Sequence, residues 1–169
     1  MLIRFARIDD DRLAALAPER WRRKAAQMRF ERERRQELVV GGLLADMLRS
    51  ELKCQTFDFC TSSDGKPCLP AFPEIHFSLS HSDEVVMCVV ADRPVGCDVE
   101  KIVPLDEDLK REIGSIGAWT FREAVFKCGV DGAEPRAVEA PCGYAAAVAF
   151  VNGGIMSTMK GKKLCEQQS

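Results

Sequence analysis

The sequence lacks three features that would point to particular classes of protein. Its 169 residues carry a net charge of only −2, so the chain as a whole has no electrostatic signature of a nucleic-acid-binding protein. No apolar run approaches the length of a membrane span, and the apolar start at Met1–Phe5 is too short for a signal peptide. Internal repeats and low-complexity segments are also missing. We therefore expect a globular protein with neither a nucleic-acid nor a membrane partner.

Closely spaced cysteine pairs are missing as well, although the chain has eight cysteines. No two of them form the C-x-x-C spacing typical of zinc or redox sites. Cys88 and Cys97 lie within apolar stretches, where a free cysteine acts as a small hydrophobic side chain. The sequence therefore predicts reduced thiols and a cytoplasmic protein.

Charge is distributed unevenly along the chain. Between Arg20 and Arg35 eight bases stand against two acids, a net charge of +6, whereas residues 83–112 are acidic. An apolar fraction of 46% can supply a core for one domain or for two small packed halves. The bases of the first segment are Arg20, Arg22, Arg23, Lys24, Arg29, Arg32, Arg34 and Arg35.

Hydrophobic patterning predicts an α+β protein. Residues 2–8 alternate as a short strand, and Asp9–Asp11 can cap the helix that follows. One long helix is predicted over 18–52, with Pro18 in its first turn and close packing or a bend at Gly41–Gly42. The other predictions are strands over 56–59, 75–80, 85–91, 95–103 and 144–151, helices over 106–113 and 119–128, and a loop over 129–141, with strands 75–80 and 85–91 forming a hairpin.

Two carboxylates stand within a stretch that otherwise has the composition of a buried strand. Asp98 and Glu100 are two residues apart, so on a strand they point to the same side. Two acids on one face repel each other unless a cation lies between them, and hard oxygen ligands suit Mg²⁺. The alternative is a solvated strand end at which both acids face water.

Two further motifs carry groups that can bind phosphate. The turn Asp64–Pro67 fixes Lys66 ahead of a proline, although Gly-Lys-Pro also occurs in ordinary turns. Phe77–Ser82 places hydroxyls and His81 where a strand ends, and such groups can donate several hydrogen bonds to a phosphate. A catalytic Ser-His pair and a simple turn cluster are the alternatives for this motif.

The segment Trp119–Lys127 places Glu123 and Lys127 four residues apart on one helix face. Thr120 with Glu123 also fits a Thr-x-x-Glu capping box, and Glu123 with Lys127 fits an ordinary surface ion pair. Helical periodicity does not separate these two alternatives from the interpretation of Glu123 as a metal ligand.

Taken together, the motifs resemble one family. The order Gly-Lys-Pro, Phe-Ser-Leu-Ser-His-Ser, Gly-x-Asp-x-Glu and Trp-Thr-x-Arg-Glu-Ala-x-x-Lys is similar to that of the 4′-phosphopantetheinyl transferases of the surfactin-synthetase-activating (Sfp) type. The match covers residues 65–100 and 119–127, and the basic segment that begins at Pro18 is consistent with it. These enzymes transfer the phosphopantetheine arm of coenzyme A to a serine of an acyl or peptidyl carrier protein, releasing adenosine 3′,5′-bisphosphate.

The resemblance implies a role for each motif. Asp98, Glu100 and Glu123 would hold Mg²⁺ against the pyrophosphate of coenzyme A. Glu123 would also be the general base, and Lys127 would contact the pyrophosphate, which makes these two the implied catalytic residues. The residues implied to bind coenzyme A are Arg20, Arg23, Arg35, Lys66, Pro67, Ser80, His81 and Lys127, with Ser80 and His81 at the 3′-phosphate.

The resemblance also implies the fold, which is two similar α+β halves in a pseudo-twofold arrangement with coenzyme A between them. We expect an N-terminal half over 1–94, a C-terminal half over 95–156 and a polar tail over 157–169. The expected state is a monomer, whose positive face would attract an acidic carrier protein.

Three departures from the family pattern concern the second half. The stretch Lys101–Ala118 is shorter than in the family, the region after Lys127 is abbreviated, and Arg122 replaces a lysine while keeping its charge. These departures leave one alternative within the family, a coenzyme A-binding homologue with a degenerate second half that has lost transfer. The alternative outside the family is an α+β scaffold whose motifs are only turns and caps.

Overall fold

The computed structural model describes residues 1–53, 57–62 and 65–152, in which helices and strands follow one another in mixed order. This order confirms the predicted α+β class. The helices are α1 (Asp11–Ala15), α2 (Glu19–Ala26), α3 (Glu31–Leu52), α4 (Glu107–Ile113) and α5 (Ile116–Cys128). The strands are β1 (Leu2–Arg7), β2 (Cys60–Thr61), β3 (Pro67–Cys68), β4 (His76–Ser82), β5 (Val85–Ala91), β6 (Val95–Lys101), β7 (Glu134–Ala137) and β8 (Tyr144–Phe150).

Two antiparallel three-stranded sheets form the centre of the molecule. Their strand orders are β1-β5-β4 and β6-β8-β7, and β4 with β5 forms the predicted hairpin. Strand β5 is buried on both faces because its alternate side chains enter two different cores. Val86, Cys88 and Val90 pack toward α3, whereas Val85 and Met87 pack between the sheets.

The layers are therefore a helix, two sheets and a second helix. On one outer face α3 contributes large side chains such as Leu44 and Met47 to the core beneath the first sheet. On the other, α5 packs on β8 through small side chains, with Ala124 against Ala147 and Ala149. No helix in the described part of the chain is long and apolar enough to cross a membrane.

Strands β4 and β6 belong to different sheets but lie side by side, joined through serine side chains. Ser78 Oγ accepts a hydrogen bond from the backbone N of Cys97 (3.0 Å), and Ser80 Oγ accepts one from that of Val99 (3.3 Å). Ser82 Oγ does the same for Lys101 (3.1 Å). We call these three residues, Ser78, Ser80 and Ser82, the serine row. It takes the place of a backbone ladder where the two sheets meet.

The helix predicted over 18–52 is two helices, because the chain reverses at residues 27–30. Helix α2 ends at Ala26, and Phe30 adopts an extended conformation before α3 begins. The reversal folds α2 onto α3, where a Cβ on Gly41 would lie only 2.4 Å from Trp21 Cγ. A Cβ on Gly42 would lie still closer to its neighbour, 1.8 Å from the carbonyl oxygen of Leu13. The predicted close packing at Gly41–Gly42 is confirmed, and the single helix was wrong.

Two other predictions need correction. The loop expected over 129–141 contains strand β7, which pairs with β8. Residues 57–59 of the strand expected over 56–59 have no regular structure, while Thr56 lies outside the described residues, as does the tail over 157–169.

The cysteines are not all reduced, contrary to the sequence-based expectation. Antiparallel pairing of β2 with β3 places Cys60 opposite Cys68 at a Cα–Cα distance of 5.2 Å, and the two form a disulfide. Cys88 and Cys97 are free and buried as expected, and burial raises the pKa of the Cys97 thiol to about 12. The pairing of Cys60 and Cys68 depends on register between two short strands, which cysteine spacing alone does not reveal.

Candidate functional site

A cavity of about 790 Å³ opens between helix α2, strand β4 and the contact of β6 with α5. All but two of the predicted site residues line it. Those in the cavity wall are Arg20, Lys66, Pro67, Ser80, His81, Asp98, Glu100, Glu123 and Lys127. The cavity thus brings together motifs that are as many as 107 positions apart, from Arg20 to Lys127.

Arg23 and Arg35 are the two predicted residues that the structure does not bring to the cavity. Arg23 Nε pairs with Glu19 on the exposed surface of α2 (2.8 Å). Arg35 Nε donates to the carbonyl of Ile8 (2.8 Å), and its guanidinium also pairs with Asp11 (2.9 Å). Both guanidiniums are therefore engaged away from the cavity.

Asp98 is the most deeply buried acid of the cavity, with 2% of its surface exposed. Its Oδ1 accepts hydrogen bonds from Lys127 Nζ (2.6 Å) and from Ser80 Oγ (2.8 Å). Its Oδ2 is buried without a hydrogen-bond partner among the described residues. The solvated strand end considered from sequence is therefore wrong for Asp98, and one of its oxygens is buried without a partner within the described residues.

Glu100 lies on the same face of β6 as Asp98, as the alternation of strand side chains predicted. Cys97 and Val99 point the other way into the core between the sheets. Ser82 Oγ donates to Glu100 Oε2 (2.7 Å). Burial raises the pKa of Glu100 and the charge of Asp98 adds to this, while the hydrogen bond from Ser82 opposes it. A weaker side-chain hydrogen bond from Trp119 also opposes it, so Glu100 is a half-buried acid that two side chains of the protein already hold.

Gly96 sets the distance between β6 and α5. A Cβ at this position would lie 2.0 Å from the carbonyl oxygen of Ala124 and 2.3 Å from the backbone N of Cys128. Only glycine allows the helix to lie this close to the strand. The close approach is what brings Lys127 within reach of Asp98 and places Glu123 in the same cavity.

Helix α5 begins at Ile116, three residues before the predicted start. This earlier start removes the interpretation of Glu123 as part of a capping box. Its cap is Ser115, whose hydroxyl accepts from the backbone N of Ala118 (3.1 Å). Thr120 is buried within the helix and donates to the carbonyl of Gly117 (2.8 Å). The Thr-x-x-Glu capping box is therefore wrong, and Lys127 pairs with Asp98 on the neighbouring strand.

The carboxylate oxygens of the cavity could supply part of the coordination shell of a hard cation. No group of three or more His, Cys, Asp or Glu side chains stands in metal-binding geometry within residues 1–53, 57–62 and 65–152. Asp98 and Glu100 nevertheless share one strand face, and the orphaned Oδ2 of Asp98 is the kind of ligand that Mg²⁺ prefers. Mg²⁺ is commonly held by one or two carboxylates together with substrate phosphates, and Asp98 and Glu100 are two carboxylates on one face of a strand.

Ser80 and His81 point to opposite sides of β4. Ser80 faces β6 and receives a hydrogen bond from Lys127 Nζ (3.2 Å), whereas His81 faces α3 with its Nε2 3.9 Å from Glu37 Oε1. The catalytic Ser-His pair considered from sequence is therefore not formed. The resemblance placed both residues at one phosphate, and on this strand they approach the cavity from different faces.

Two residues of the cavity were missed by the sequence analysis. Glu37 is 3% exposed, and its Oε1 accepts from Lys24 Nζ at 2.5 Å. Partial burial lowers the pKa of the nearby His81; Glu37 opposes this, while the charges of Lys127 and Lys24 add to it. The sequence feature that could have identified Glu37 is its position on α3. It lies three residues before Val40 and therefore on the core-facing side of the helix. Nothing in the basic run distinguished Lys24 from its neighbours.

Lys66 joins the segment before β4 to α5. Its Nζ donates to the carbonyl of Lys127 (3.1 Å) at the C-terminal end of that helix, where a cation is favoured. The Cys60–Cys68 disulfide closes the segment that carries Lys66, and Arg20 Nη1 donates to Thr61 Oγ1 (2.7 Å) across the same segment. Arg20 and Lys66 are thereby held at one side of the cavity.

Comparison with known proteins gives one consistent family. The chain is 28% identical over 106 residues to the 4′-phosphopantetheinyl transferase Sfp of Bacillus subtilis (strain 168), covering 61% of this chain and 46% of that protein. It is 36% identical over 87 residues to the 4′-phosphopantetheinyl transferase psf-1 of Bacillus pumilus, covering 50% of this chain and 37% of that protein. With the 4′-phosphopantetheinyl transferase gsp of Aneurinibacillus migulanus it shares 48% identity over 70 residues, covering 41% of this chain and 28% of that protein.

No family model matches the chain. The chain spans about half the length of the curated relatives it matches. The similarities confirm the resemblance to the Sfp-type 4′-phosphopantetheinyl transferases that the motifs predicted.

Proposed function

We propose that the chain is a Mg²⁺-dependent 4′-phosphopantetheinyl transferase acting on coenzyme A and an acyl or peptidyl carrier protein. The observation that carries this proposal is the single cavity lined by Asp98, Glu100, Glu123 and Lys127, which come from a strand and a helix held together at Gly96. The similarity to curated transferases over part of their length supports it. The cytoplasmic location and monomeric state expected from the sequence remain predictions.

The cavity suits coenzyme A in size and charge. Its volume of about 790 Å³ falls within the range of roughly 300–1,000 Å³ that ligand sites usually have. Arg20, Lys24, Lys66 and Lys127 line it, and such cations hold phosphates through charge-assisted hydrogen bonds. We assign the 3′-phosphate to the side of β4 where Lys24 and His81 lie.

Asp98 and Glu100 would hold the magnesium ion, Asp98 through its unpartnered Oδ2, and Glu123, which lines the same cavity, would be the third predicted ligand. Magnesium, when bound, would supply charge neutralisation at the pyrophosphate and at the departing bisphosphate. Lys127 already neutralises Asp98 at 2.6 Å and, from the same place, would meet a phosphate that enters the cavity.

Glu123 has the role of accepting the proton of the carrier serine. The serine oxygen then forms a bond to the phosphorus that bears the pantetheine arm, and the bond from that phosphorus to the bridging oxygen breaks. The bridging oxygen leaves on adenosine 3′,5′-bisphosphate. Lys127 and Lys66, which both line the cavity, would stabilise the developing negative charge.

A second candidate is a homologue that binds coenzyme A without transferring its arm. The observation that favours it is the pairing of Lys127 with Asp98, which satisfies one oxygen of the proposed metal ligand with a side chain of the protein itself. Tight, Mg²⁺-dependent binding of coenzyme A without transfer to any apo carrier protein would favour this candidate.

The test is transfer itself, followed by intact-protein mass spectrometry of an apo carrier protein after incubation with coenzyme A and Mg²⁺. We expect Glu123→Gln to lower the transfer rate by about 10²–10³-fold, because removing a group that acts at the reacting centre commonly has this effect. The matched control is Glu139→Gln, which neutralises an exposed acid outside the cavity.

Wild-type protein that binds coenzyme A but modifies none of several carrier proteins would contradict the proposed transferase. Equal rates for Glu123→Gln and Glu139→Gln would contradict only the role given to Glu123.

A further inference from the structure

The serine row repeats one backbone contact three times. Ser78, Ser80 and Ser82 alternate along β4, and each hydroxyl accepts a hydrogen bond from a backbone N of β6 at distances of 3.0, 3.3 and 3.1 Å. The acceptor role is the same in all three residues and serves to join the two sheets.

The donor role of the hydroxyls differs along the row. Ser80 donates to Asp98 Oδ1 (2.8 Å), and Ser82 donates to Glu100 Oε2 (2.7 Å). Each acid precedes the residue whose backbone N the serine accepts from, and for Ser78 that preceding residue is Gly96, which has no side chain to hold. The two hydroxyls that stand beside an acid are therefore used to hold it.

Within the described residues, Ser82 is connected to the cavity through its hydrogen bond to Glu100. It does not itself line the cavity, whereas Glu100 does. Its oxygen accepts from the backbone N of Lys101, so its proton is directed to Glu100 Oε2. This fixed hydroxyl makes the stronger of two side-chain hydrogen bonds to Glu100, the weaker coming from Trp119. It restricts a glutamate that otherwise samples several rotamers about three torsions.

We propose that Ser82 is a positioning residue that holds the carboxylate of Glu100 toward the cavity, in the orientation that a bound divalent cation requires. This inference rests on the proposed function. Groups that hydrogen-bond a metal-ligating carboxylate from outside the coordination sphere commonly change metal affinity 10–100-fold when removed. Ser82 acts through Glu100 and does not touch substrate.

The competing explanation is that Ser82 only joins the sheets. Ser78 separates the two explanations because it makes the same backbone contact without holding an acid. S78A is the harsher structural change, since it leaves the buried N–H of Cys97 without its acceptor, whereas the N–H of Lys101 is exposed to water. Damage to the sheet contact alone would therefore appear at least as strongly in S78A as in S82A.

The first experiment uses the ligand-free full chain, so it depends on neither metal nor coenzyme A. Crystal structures of wild type, S82A, S82T and S78A would give the rotamer of Glu100. We expect the carboxylate to leave its place in S82A and to keep it in S82T, which retains the hydroxyl, and in S78A. A Glu100 carboxylate that stays in place in S82A would overturn the inference.

The second experiment measures binding of Mn²⁺, as a probe for Mg²⁺, to the same variants with coenzyme A present, by electron paramagnetic resonance. We expect S82A to weaken Mn²⁺ affinity about tenfold or more, with S82T and S78A close to wild type. Equal weakening in S82A and S78A, or none in S82A, would overturn the positioning role. Wild type that binds no Mn²⁺ would instead count against the proposed metal site, while the ligand-free structures still decide what Ser82 does.

Discussion

The two outer helices of this protein meet their sheets in different ways. Helix α3 packs through large side chains, and Leu44, Met47 and Leu48 are all at most 1% exposed. The buried residues where helix α5 meets β8 are small, with Ala124 and Cys128 in one cluster with Ala147 and Ala149, while the larger Phe121 and Val125 are only partly buried. The α3 side therefore buries far more apolar side chain than the α5 side, and buried apolar area is the main source of stability.

On the α5 side, the small residues and Gly96 allow the helix to lie close to the strands. A helix close to a strand can share side chains with it, as Lys127 does with Asp98. The comparison indicates that α3 and the first sheet contribute most of the stability, while α5 and β6 carry the residues of the proposed active site. Changes on the two sides should therefore separate stability from activity.

The largest expected loss of stability follows from a change on the α3 side. Leu44→Ala should lower the free energy of unfolding by about 2–5 kcal/mol, because Leu44 is fully buried and its loss leaves a cavity in the core. The measurement is denaturant unfolding, with transfer rate per folded molecule recorded alongside. A strong loss of transfer at full occupancy of the folded state would show that α3 does more than stabilise the fold.

On the α5 side, Gly96→Ala should affect activity more than stability. The new Cβ would overlap the carbonyl of Ala124, so α5 must move away from β6. A displacement of about 1 Å at a reacting centre can cost about 10²-fold in rate, while overpacking of this kind usually costs about 1–3 kcal/mol in stability.

Gly42→Ala is the matched control for Gly96→Ala, since its Cβ would overlap the carbonyl of Leu13 on the α3 side. It should destabilise the fold without lowering transfer by the folded protein. If the two alanine variants lose transfer equally, the division between the two sides does not hold.

The smallest expected effect is a pH dependence of stability from His81, which stands where the two sides meet. The pKa of His81 is lowered from 6.5 by partial burial and by the charges of Lys127 and Lys24, with Glu37 opposing. The unfolded chain therefore binds more protons than the folded chain as the pH falls below about 6.5, and stability decreases with falling pH in that range.

His81→Gln should reduce this loss of stability between pH 7.5 and 5.5, as measured by urea unfolding at both values. His76→Gln is a comparison, because the pKa of His76 is also lowered by burial but only Asp92 opposes it. An unchanged pH dependence in His81→Gln would place the responsible group elsewhere.

Local patterns were sufficient to predict much of the fold. The alternation in 75–80 and the apolar block 85–91 gave the hairpin of β4 and β5, and the spacing of Asp98 and Glu100 gave their common face. The reversal at residues 27–30 has no glycine or proline to mark it, and the contact that it brings about, Trp21 against Gly41, joins two separate helices.

The features that sequence did not reveal depend on contacts between distant segments. The disulfide requires the register of β2 with β3, and the burial of Glu37 requires α2 to fold back so that Lys24 reaches it. From sequence alone, the serines of β4 fit phosphate donors, a catalytic Ser-His pair or a turn cluster. Their contact with β6 depends on how the two sheets meet, which no local pattern encodes.

The central claim is that β4, β6 and α5 form one site for coenzyme A and a divalent cation. The most direct test is a crystal structure of the protein grown with coenzyme A and Mn²⁺, in which anomalous scattering locates the ion. We predict one ion in contact with Asp98 Oδ2 and a carboxylate oxygen of Glu100, with the pyrophosphate beside Lys127. Coenzyme A bound elsewhere, or an ion that touches neither carboxylate, would contradict the account.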